Sequence, residues 1–143
     1  MDLVLVGSFG YDTISTQHGT VKDTLGGAAV HAGLAASRVL HQEGRVGLVS
    51  VVGEDVVTSD LDLLESRNLD LTGIETLAGQ TFRWAGHYEG TMDQAETLST
   101  DLNVLQEFNP KVPEEWRSAP YLFCANIHPV SYTHLTLPTI CSV

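Results

Sequence analysis

Two adjacent glycines, Gly26 and Gly27, stand directly before a run rich in alanine, leucine and valine. Glycine adopts backbone angles that are closed to other residues, and it leaves no side chain in the way of a neighbour. The alanine-rich run favours a helix, which we expect over residues 28–42. A helix that begins at a glycine turn leaves backbone N–H groups unpaired. This turn is therefore either a place where ligand oxygens bind or a tight turn before a core helix.

Short apolar runs predict the strands of a sheet. Such runs are typical of strands buried on both faces of a parallel sheet, and they occur at residues 3–6, 46–52 and 121–125. A second helix is expected to begin at Ser59, in a sequence that resembles a capping box, and to end near Asn68. The order strand, helix, strand, helix predicts a parallel, right-handed βαβα unit. The expected fold class is therefore α/β.

A different pattern predicts a second, smaller sheet. Residues 13–24 are rich in β-branched side chains around a His-Gly pair, which indicates a hairpin. Residues 81–89 alternate in a way typical of a half-exposed antiparallel strand, and residues 96–104 are expected to return beside it. One side of the alternating strand carries Phe82, Trp84 and Tyr88, and the other carries Arg83, His87 and Glu89. The aromatic side either packs in a core or covers a ligand cleft.

Asp12 follows the first apolar run after a short glycine-containing segment, residues 7–10. In an open α/β sheet, ligands bind at the carboxyl ends of the strands. An ionised carboxylate is a pure hydrogen-bond acceptor, so Asp12 could hold a pair of substrate hydroxyls. The alternative is that Asp12 only caps a turn.

The charge of the chain excludes some classes of partner. The formal net charge is −11, with 18 acidic residues against 7 basic ones. Because nucleic acids and anionic membrane surfaces need a basic face, neither is expected as a partner. No apolar run approaches the roughly 18 residues of a membrane span, and no secretory signal is visible. A cytoplasmic location is therefore expected.

Cysteine and histidine spacing gives no sign of a metal site. Cys124 and Cys141 have neither metal nor redox spacing and are expected to be free thiols. The histidines show no ligand spacing on a common face; they are His18, His31, His41, His87, His128 and His134. We therefore expect no bound metal in this chain.

The C-terminal residues 130–143 have no periodicity that continues the fold. They resemble the conceptual translation of a transposon sequencing adapter. We therefore expect the natural sequence to run only to about Pro129 in this chain. His134 and Cys141 are given no functional weight for the same reason.

Four motifs in order resemble the ribokinase-like, PfkB-type carbohydrate and nucleoside kinases. They are Val6-Gly7-Ser8 with Asp12, Gly26-Gly27 before an alanine-rich helix, Val52-Gly53-Glu54-Asp55, and Leu69-Asp70-Leu71 leading into the hairpins. The resemblance covers residues 1–129 and corresponds to the N-terminal part of such a kinase. It implies a Rossmann-like parallel sheet with flanking helices and a small antiparallel β lid, at about residues 13–24 and 81–104, in a truncated domain.

The resemblance also implies an activity and a set of binding residues. Kinases of this family transfer the γ-phosphoryl group of ATP, usually with Mg²⁺, to a hydroxyl of a sugar or nucleoside. By this resemblance Asp12 would hold substrate hydroxyls, and Gly26 and Gly27 would line the substrate site. His31 stands where many relatives have Asn. The remaining expected contacts are Arg83 or Trp84 on the lid, and Asn126 at a strand end.

The catalytic half of such a kinase is absent from this chain. The family's catalytic base lies in a Gly-Ala-Gly-Asp type motif in its C-terminal half, together with the anion hole and most ATP contacts. No such motif follows Asn126. We therefore expect no catalytic residue here and an inactive fragment, while the full-length protein is expected to be a kinase.

Two other functions stay open from the sequence. An apolar strand leading into residues 7–10 suggests a dinucleotide-binding oxidoreductase, although the glycine spacing does not fit G-x-G-x-x-G. The chain is alternatively a non-catalytic binding or dimerisation module. Small lid sheets have exposed edges, so the lid strands could form a homodimer.

Overall fold

A computed structural model describes residues 1–40, 43–91 and 93–135. Within that part, the chain forms two four-stranded sheets and two α-helices. The elements are β1 (Leu3–Val6), β2 (Gly10–Thr16), β3 (Gly19–Gly26), α1 (Ala28–Val39), β4 (Val46–Gly53), α2 (Thr58–Ser66), β5 (Leu69–Leu77), β6 (Phe82–Tyr88), β7 (Ala95–Asp101) and β8 (Tyr121–Cys124), with 3₁₀ turns at Asn103–Glu107, Glu114–Trp116 and Pro129–Tyr132. The predicted α/β class is confirmed. No helix of the described part is long and apolar enough to cross a membrane.

The first sheet is parallel throughout, in the strand order β5-β4-β1-β8. Every residue of β4 is buried, as the apolar run predicted. Its side chains alternate between two cores. Leu48 packs in the core beneath α1, whereas Val49 and Val51 pack with Trp116 on the other side of the sheet. The central strand β4 is therefore covered on both faces, as is typical of parallel sheets.

Two strands of this sheet differ from the prediction. β5 was not predicted as a strand, because Asp70, Thr72 and Glu75 interrupt its apolar residues at the sheet's edge. β8 was predicted to be buried on both faces, but Tyr121 is 69% exposed and Phe123 is 51% exposed. The reason is that β8 pairs only with β1 and forms the opposite edge.

The second sheet, which we call the lid sheet, consists of β2, β3, β6 and β7 in the order β3-β2-β6-β7. The predicted hairpin of β2 and β3 is confirmed, and β6 and β7 pair antiparallel as expected. β6 also pairs with β2, however, and this pairing is parallel. β2 follows β1 and β6 follows β5, so each leaves the parallel sheet in the same direction. The lid sheet is therefore mixed and not purely antiparallel.

Helix α1 begins at Gly27, whose φ of 103° lies in the left-handed region that favours glycine. A Cβ at Gly27 would overlap the carbonyl oxygen of Ser8. Ser8 caps the helix: its Oγ accepts the N–H of Ala28 at 2.9 Å, and its carbonyl accepts the N–H of Ala29 at 3.0 Å. These two amides are therefore not open to ligand oxygens, and of the two alternatives left open for the glycine pair they favour the tight turn before a core helix. The helix ends at Val39.

Helix α2 is capped by a tyrosine from the lid sheet. The helix begins at Thr58, so Ser59 lies in its first turn and the predicted capping box is wrong. The N–H of Val57 instead donates to the hydroxyl of Tyr11 at 2.9 Å, and that hydroxyl donates to Asp60 at 3.0 Å. Burial raises the pKa of Tyr11 to about 12, so the hydroxyl keeps its proton at neutral pH.

Asp55, which follows β4, ties the parallel sheet to the lid sheet. One carboxylate oxygen accepts the N–H and the hydroxyl of Thr81, at 2.8 and 2.7 Å. The other accepts from Arg83 at 2.7 Å, and Arg83 also donates to Asp23 at 2.5 Å. Burial opposes the ionisation of Asp55, but the hydrogen bonds from Thr81 and Arg83 outweigh it, and the pKa of Asp55 is lowered. We call Asp55, Thr81 and Arg83 the junction.

Tyr132 joins the last 3₁₀ turn to the carboxyl ends of β1 and β8. The Tyr132 hydroxyl donates to the carbonyl oxygens of Val6, at 3.2 Å, and of Ala125. Whether residues 130–143 are foreign to the natural sequence stays a prediction, and residues 136–143, with Cys141, lie outside the described residues. Cys124 is a free thiol.

Replacement of Asp55 tests the junction. Asp55→Asn is expected to lower the free energy of unfolding at pH 7 by about 1–2 kcal/mol, because an ionic hydrogen bond to Arg83 is lost. The folded-state pKa of Asp55 lies below its unfolded value. Its stabilisation is therefore present above about pH 4 and disappears as the pH falls through the folded-state pKa. Urea unfolding from pH 7 to pH 3 measures this difference, with exposed Glu54→Gln as control; a constant difference would contradict the assignment.

Replacement of Gly27 tests the start of α1. Gly27→Ala is expected to lower the free energy of unfolding by more than about 2 kcal/mol. The reason is that alanine disfavours this φ and that its Cβ would overlap the Ser8 carbonyl. Gly90→Ala is the matched control, since Gly90 also has a positive φ, 61°, but has open space around it. Urea unfolding of both variants separates the two effects. Equal losses would show that the contact with Ser8 carries no weight.

Candidate functional site

A cleft lies between the lid sheet and the carboxyl ends of β1 and β8. Its volume is about 770 Å³, within the range of small-molecule sites. Open α/β sheets bind their ligands at this end of the strands. The cleft is lined by Ser8, Asp12, Gly27, Ala28, His31, Phe82, Trp84, Thr100, Leu102, Leu105, Gln106, Asn126, Ile127, His128 and Ser131.

Asp12 lies directly over Gly26. The two residues are on neighbouring strands, where Gly10 pairs with Gly26 and Asp12 with Thr24. A Cβ at Gly26 would overlap the Asp12 carboxylate, so the absence of a side chain at Gly26 lets Asp12 take this position. Gly26 itself is buried and lies beneath the Asp12 carboxylate. The structure thus brings together the predicted aspartate and the predicted glycine pair.

The Asp12 carboxylate is partly removed from water without being paired. Burial raises its pKa, and the nearby His31 partly offsets this effect. Within the described residues, no hydrogen bond to the carboxylate oxygens of Asp12 is found. A desolvated carboxylate without donors gains free energy when hydroxyl groups reach it. Asp12 can therefore act as the acceptor for ligand hydroxyls.

The other predicted site residues reach the cleft from two elements, α1 and β8. His31 is exposed on the first turn of α1, and Gly27 forms the cleft wall at the start of that helix. Asn126 follows β8, so its amide stands at the carboxyl end of the parallel sheet. Asp12, His31 and Asn126 thus surround one space and offer a carboxylate, an imidazole and an amide.

Arg83 is not part of the cleft. Neighbouring residues of a strand face opposite sides, so Trp84 faces the cleft while Arg83 faces Asp55 and Asp23. Its guanidinium carbon lies 5.3 Å from the centre of the Tyr11 ring. The expected substrate contact of Arg83 is therefore replaced by a structural role in the junction, and Trp84 is the lid residue in position to touch a ligand.

Several lining residues were not predicted. Leu102 lies in the segment that was expected to continue as a strand to residue 104, and Leu105 follows it, but β7 ends at Asp101 and a 3₁₀ turn follows. The i, i+3 spacing of the two leucines was the available sequence signal for a helical turn. Both leucines line the cleft with apolar side chains.

The lining of the cleft contains no permanently charged cation that would pair with a triphosphate. Of its lining residues, none is lysine or arginine. The first amides of α1 are held by Ser8. The described residues contain no group of three metal-binding side chains. Uncharged hydroxyl compounds are the ligands that suit a carboxylate, an amide and an imidazole without a permanent cation.

Comparisons with known sequences give no match: no family model matches the chain, and no curated protein does. Solved structures do match. Ribokinase from Cryptococcus neoformans, in complex with ADP, is similar with a TM-score of 0.67 and 16% identity, over 86% of this chain and 40% of that chain. A fructokinase from Halothermothrix orenii matches with a TM-score of 0.60 and 16% identity, over 87% of this chain and 46% of that chain.

A nucleoside kinase from Burkholderia thailandensis, in complex with inosine, matches with a TM-score of 0.58 and 15% identity. That match covers 73% of this chain and 38% of the nucleoside kinase. In all three comparisons this chain spans less than half the length of its structural neighbour. The chain therefore has the fold of the ribokinase-like sugar and nucleoside kinases, over less than half of the length of such a kinase.

Proposed function

We propose that this chain is the acceptor-binding part of a kinase that transfers the γ-phosphoryl group of ATP to a hydroxyl of a sugar or nucleoside. The observation that carries the proposal is the position of the Asp12 carboxylate, which lies over Gly26, faces the cleft and lacks a donor among the described residues. The fold is that of ribokinase, fructokinase and nucleoside kinase structures.

In this proposal the residues of the cleft bind and orient the acceptor. Asp12 accepts hydrogen bonds from one or two hydroxyls, and the Asn126 amide donates or accepts elsewhere in the cleft lining. The lid sheet covers the bound molecule and keeps water from it, which suits a reaction in which water competes with the acceptor hydroxyl. Positioning of this kind is a large part of the catalysis of phosphoryl transfer.

ATP and Mg²⁺ bind, in this proposal, to residues that are not in this chain. The ribokinase structure that matches this fold holds ADP, and this chain covers 40% of it. The cleft described here has no cation for a triphosphate, as shown above. We therefore propose that this chain binds the acceptor without phosphorylating it.

The dinucleotide-binding alternative is not supported by the structure. A dinucleotide fold needs a helix directly after the glycine-containing segment that follows β1. Here Gly10 begins β2, and the chain enters the lid sheet. The first helix begins only after Gly27, and Ser8 holds its first amides.

Binding by Asp12 gives the direct test of the proposed function. We expect the chain to bind at least one neutral compound from a panel of sugars and nucleosides in calorimetry. Asp12→Asn should weaken that binding at least about tenfold, because a charge-assisted hydrogen bond is lost. Asp62→Asn, an exposed change on α2, serves as control and should have no effect.

The same titrations, repeated with ATP and Mg²⁺, should yield no phosphorylated product. Binding that is unchanged in Asp12→Asn, or no binding of any compound, would contradict the proposed role of the cleft. Formation of product by this chain alone would contradict the proposal that the catalytic half lies elsewhere.

A second copy of the chain is the proposed partner of the lid sheet. β7 is an edge strand, all of its residues are exposed, and Leu98 is 60% exposed. An unpaired edge of this kind favours pairing with another strand. Sedimentation should show a concentration-dependent dimer that is weakened by Leu98→Lys and not by Val39→Lys, a matched exposed position on α1. A monomer at all concentrations would contradict this pairing.

A further inference from the structure

The indole of Trp84 is fixed on the cleft side of the lid sheet. A Cβ at Gly86 would overlap its six-membered ring, so the indole covers Gly86, two residues further along β6. The indole Nε1–H donates to the hydroxyl of Thr97 at 3.3 Å, on the neighbouring strand β7. One face of the ring thus lies on Gly86 and one edge is hydrogen-bonded to Thr97. Trp84 lines the cleft.

The indole and the Asp12 carboxylate are neighbours on the same side of the sheet. Asp12 on β2 pairs in register with Trp84 on β6, and side chains in register share a face. Because the ring extends over Gly86, its centre is displaced along the strand by up to about 7 Å, the rise of two residues. The Asp12 carboxylate leans toward Gly26 on β3, whereas the indole leans over Gly86 and toward Thr97 on β7. Neighbouring strands are also about 4.8 Å apart, so a ligand that contacts both side chains must be longer than a single sugar ring.

Apolar side chains line the cleft together with the indole. Phe82 covers Gly10 on the lid sheet, and Leu102, Leu105 and Ile127 also line the cleft. Asp12 and Asn126 are among the polar lining residues. The cleft therefore offers polar groups for hydroxyls and apolar side chains for a flat, apolar group.

The charge of the cleft limits its ligands further. No lysine or arginine lines it, and Asp12 contributes a negative charge. The chain as a whole carries a net charge of −11. A phosphorylated sugar would bring two negative charges into this environment without a permanent cation to pair with.

From these observations we infer that the acceptor is an uncharged molecule in which a hydroxyl-bearing ring is joined to a planar heterocycle, as in a nucleoside, and that the heterocycle stacks on Trp84. This inference rests on the proposed function, because it names the acceptor class of the same cleft. It makes Trp84 the residue that distinguishes nucleosides from free sugars.

Nuclear magnetic resonance of the indole N–H groups tests the inference directly. The chain has two tryptophans, so the spectrum contains two indole signals, and Trp84→Phe identifies one of them. Trp116 is 3% exposed, packs against Gly47 and Gly73 of the parallel sheet, is not among the lining residues of the cleft, and serves as internal reference. Adenosine, ribose and ribose 5-phosphate are the probes. We expect adenosine to bind tightest and to shift the Trp84 signal but not the Trp116 signal, and ribose 5-phosphate to bind weakest.

Variants separate the role of stacking from that of the hydroxyl contact. Trp84→Ala should weaken the binding of adenosine at least about fivefold, because base stacking is lost, and should leave the affinity for ribose unchanged. Trp84→Phe should restore most of the affinity. Tyr121→Ala removes an exposed aromatic ring on β8 outside the cleft. It should change the affinity for neither adenosine nor ribose.

Ribose binding as tightly as adenosine, or tighter binding of ribose 5-phosphate, overturns the inference, and so does an unmoved Trp84 signal. In those cases a loss of binding in Asp12→Asn still supports the proposed function. If none of the probes nor any other neutral sugar or nucleoside binds, the proposed function fails and the inference fails with it. The titrations of the unchanged chain decide these outcomes even if Trp84→Ala does not fold.

Discussion

The parallel pairing of β2 with β6 determines which residues meet in the cleft. β1 and β5 belong to the same parallel sheet, and the chain continues from each of them into the lid sheet. The two continuing strands therefore run side by side in the same direction, and Asp12 comes into register with Trp84. If β2 and β6 paired antiparallel, Asp12 would not lie beside Trp84. The neighbourhood of a carboxylate and an indole is thus a consequence of how the parallel sheet is built.

Glycines supply the space that this arrangement needs. Gly26 lies under the Asp12 carboxylate, Gly10 under the Phe82 ring and Gly86 under the Trp84 ring. Each glycine lets a neighbouring side chain lie on the backbone of the sheet instead of standing away from it. Close packing of this kind fixes side-chain positions, which a binding site requires. The shape of the cleft therefore depends on these three glycines as well as on the side chains that lie over them.

The sequence predicted those elements that have an uninterrupted physical signal. β1 and β4 were found from their apolar runs, and α1 from its alanines. β5 was missed, because strands at an edge alternate with polar residues such as Thr72, and no apolar run marks them. β8 was assigned correctly but not its exposure, which depends on its neighbours in the sheet. The order of strands in a sheet depends on pairing between distant segments, so local sequence patterns do not predict it.

Among the proposed site residues, Asp12 was singled out because it follows a strand end, where open α/β sheets bind their ligands. Gly27 and Asn126 were expected at the site from the family resemblance, and the structure places both of them at the same cleft as Asp12. The alternation of β6 placed Arg83 and Trp84 on opposite faces, but it did not say which face meets the cleft. That choice is made by the register with β2 and by the ionic contacts of Arg83 with Asp55 and Asp23. The turn that carries Leu102 and Leu105 was hidden by the expected continuation of β7.

The pairing of β8 with β1 joins the beginning of the chain to its far end. During synthesis, β1 can pair with β4 long before residue 121 leaves the ribosome. Asp12, the glycine turn and the indole are positioned by pairings among residues 3–101, whereas Asn126 is positioned by the pairing of β8 with β1. Because pairings between distant segments form slowly, we expect the acidic side of the cleft to fold before its amide side.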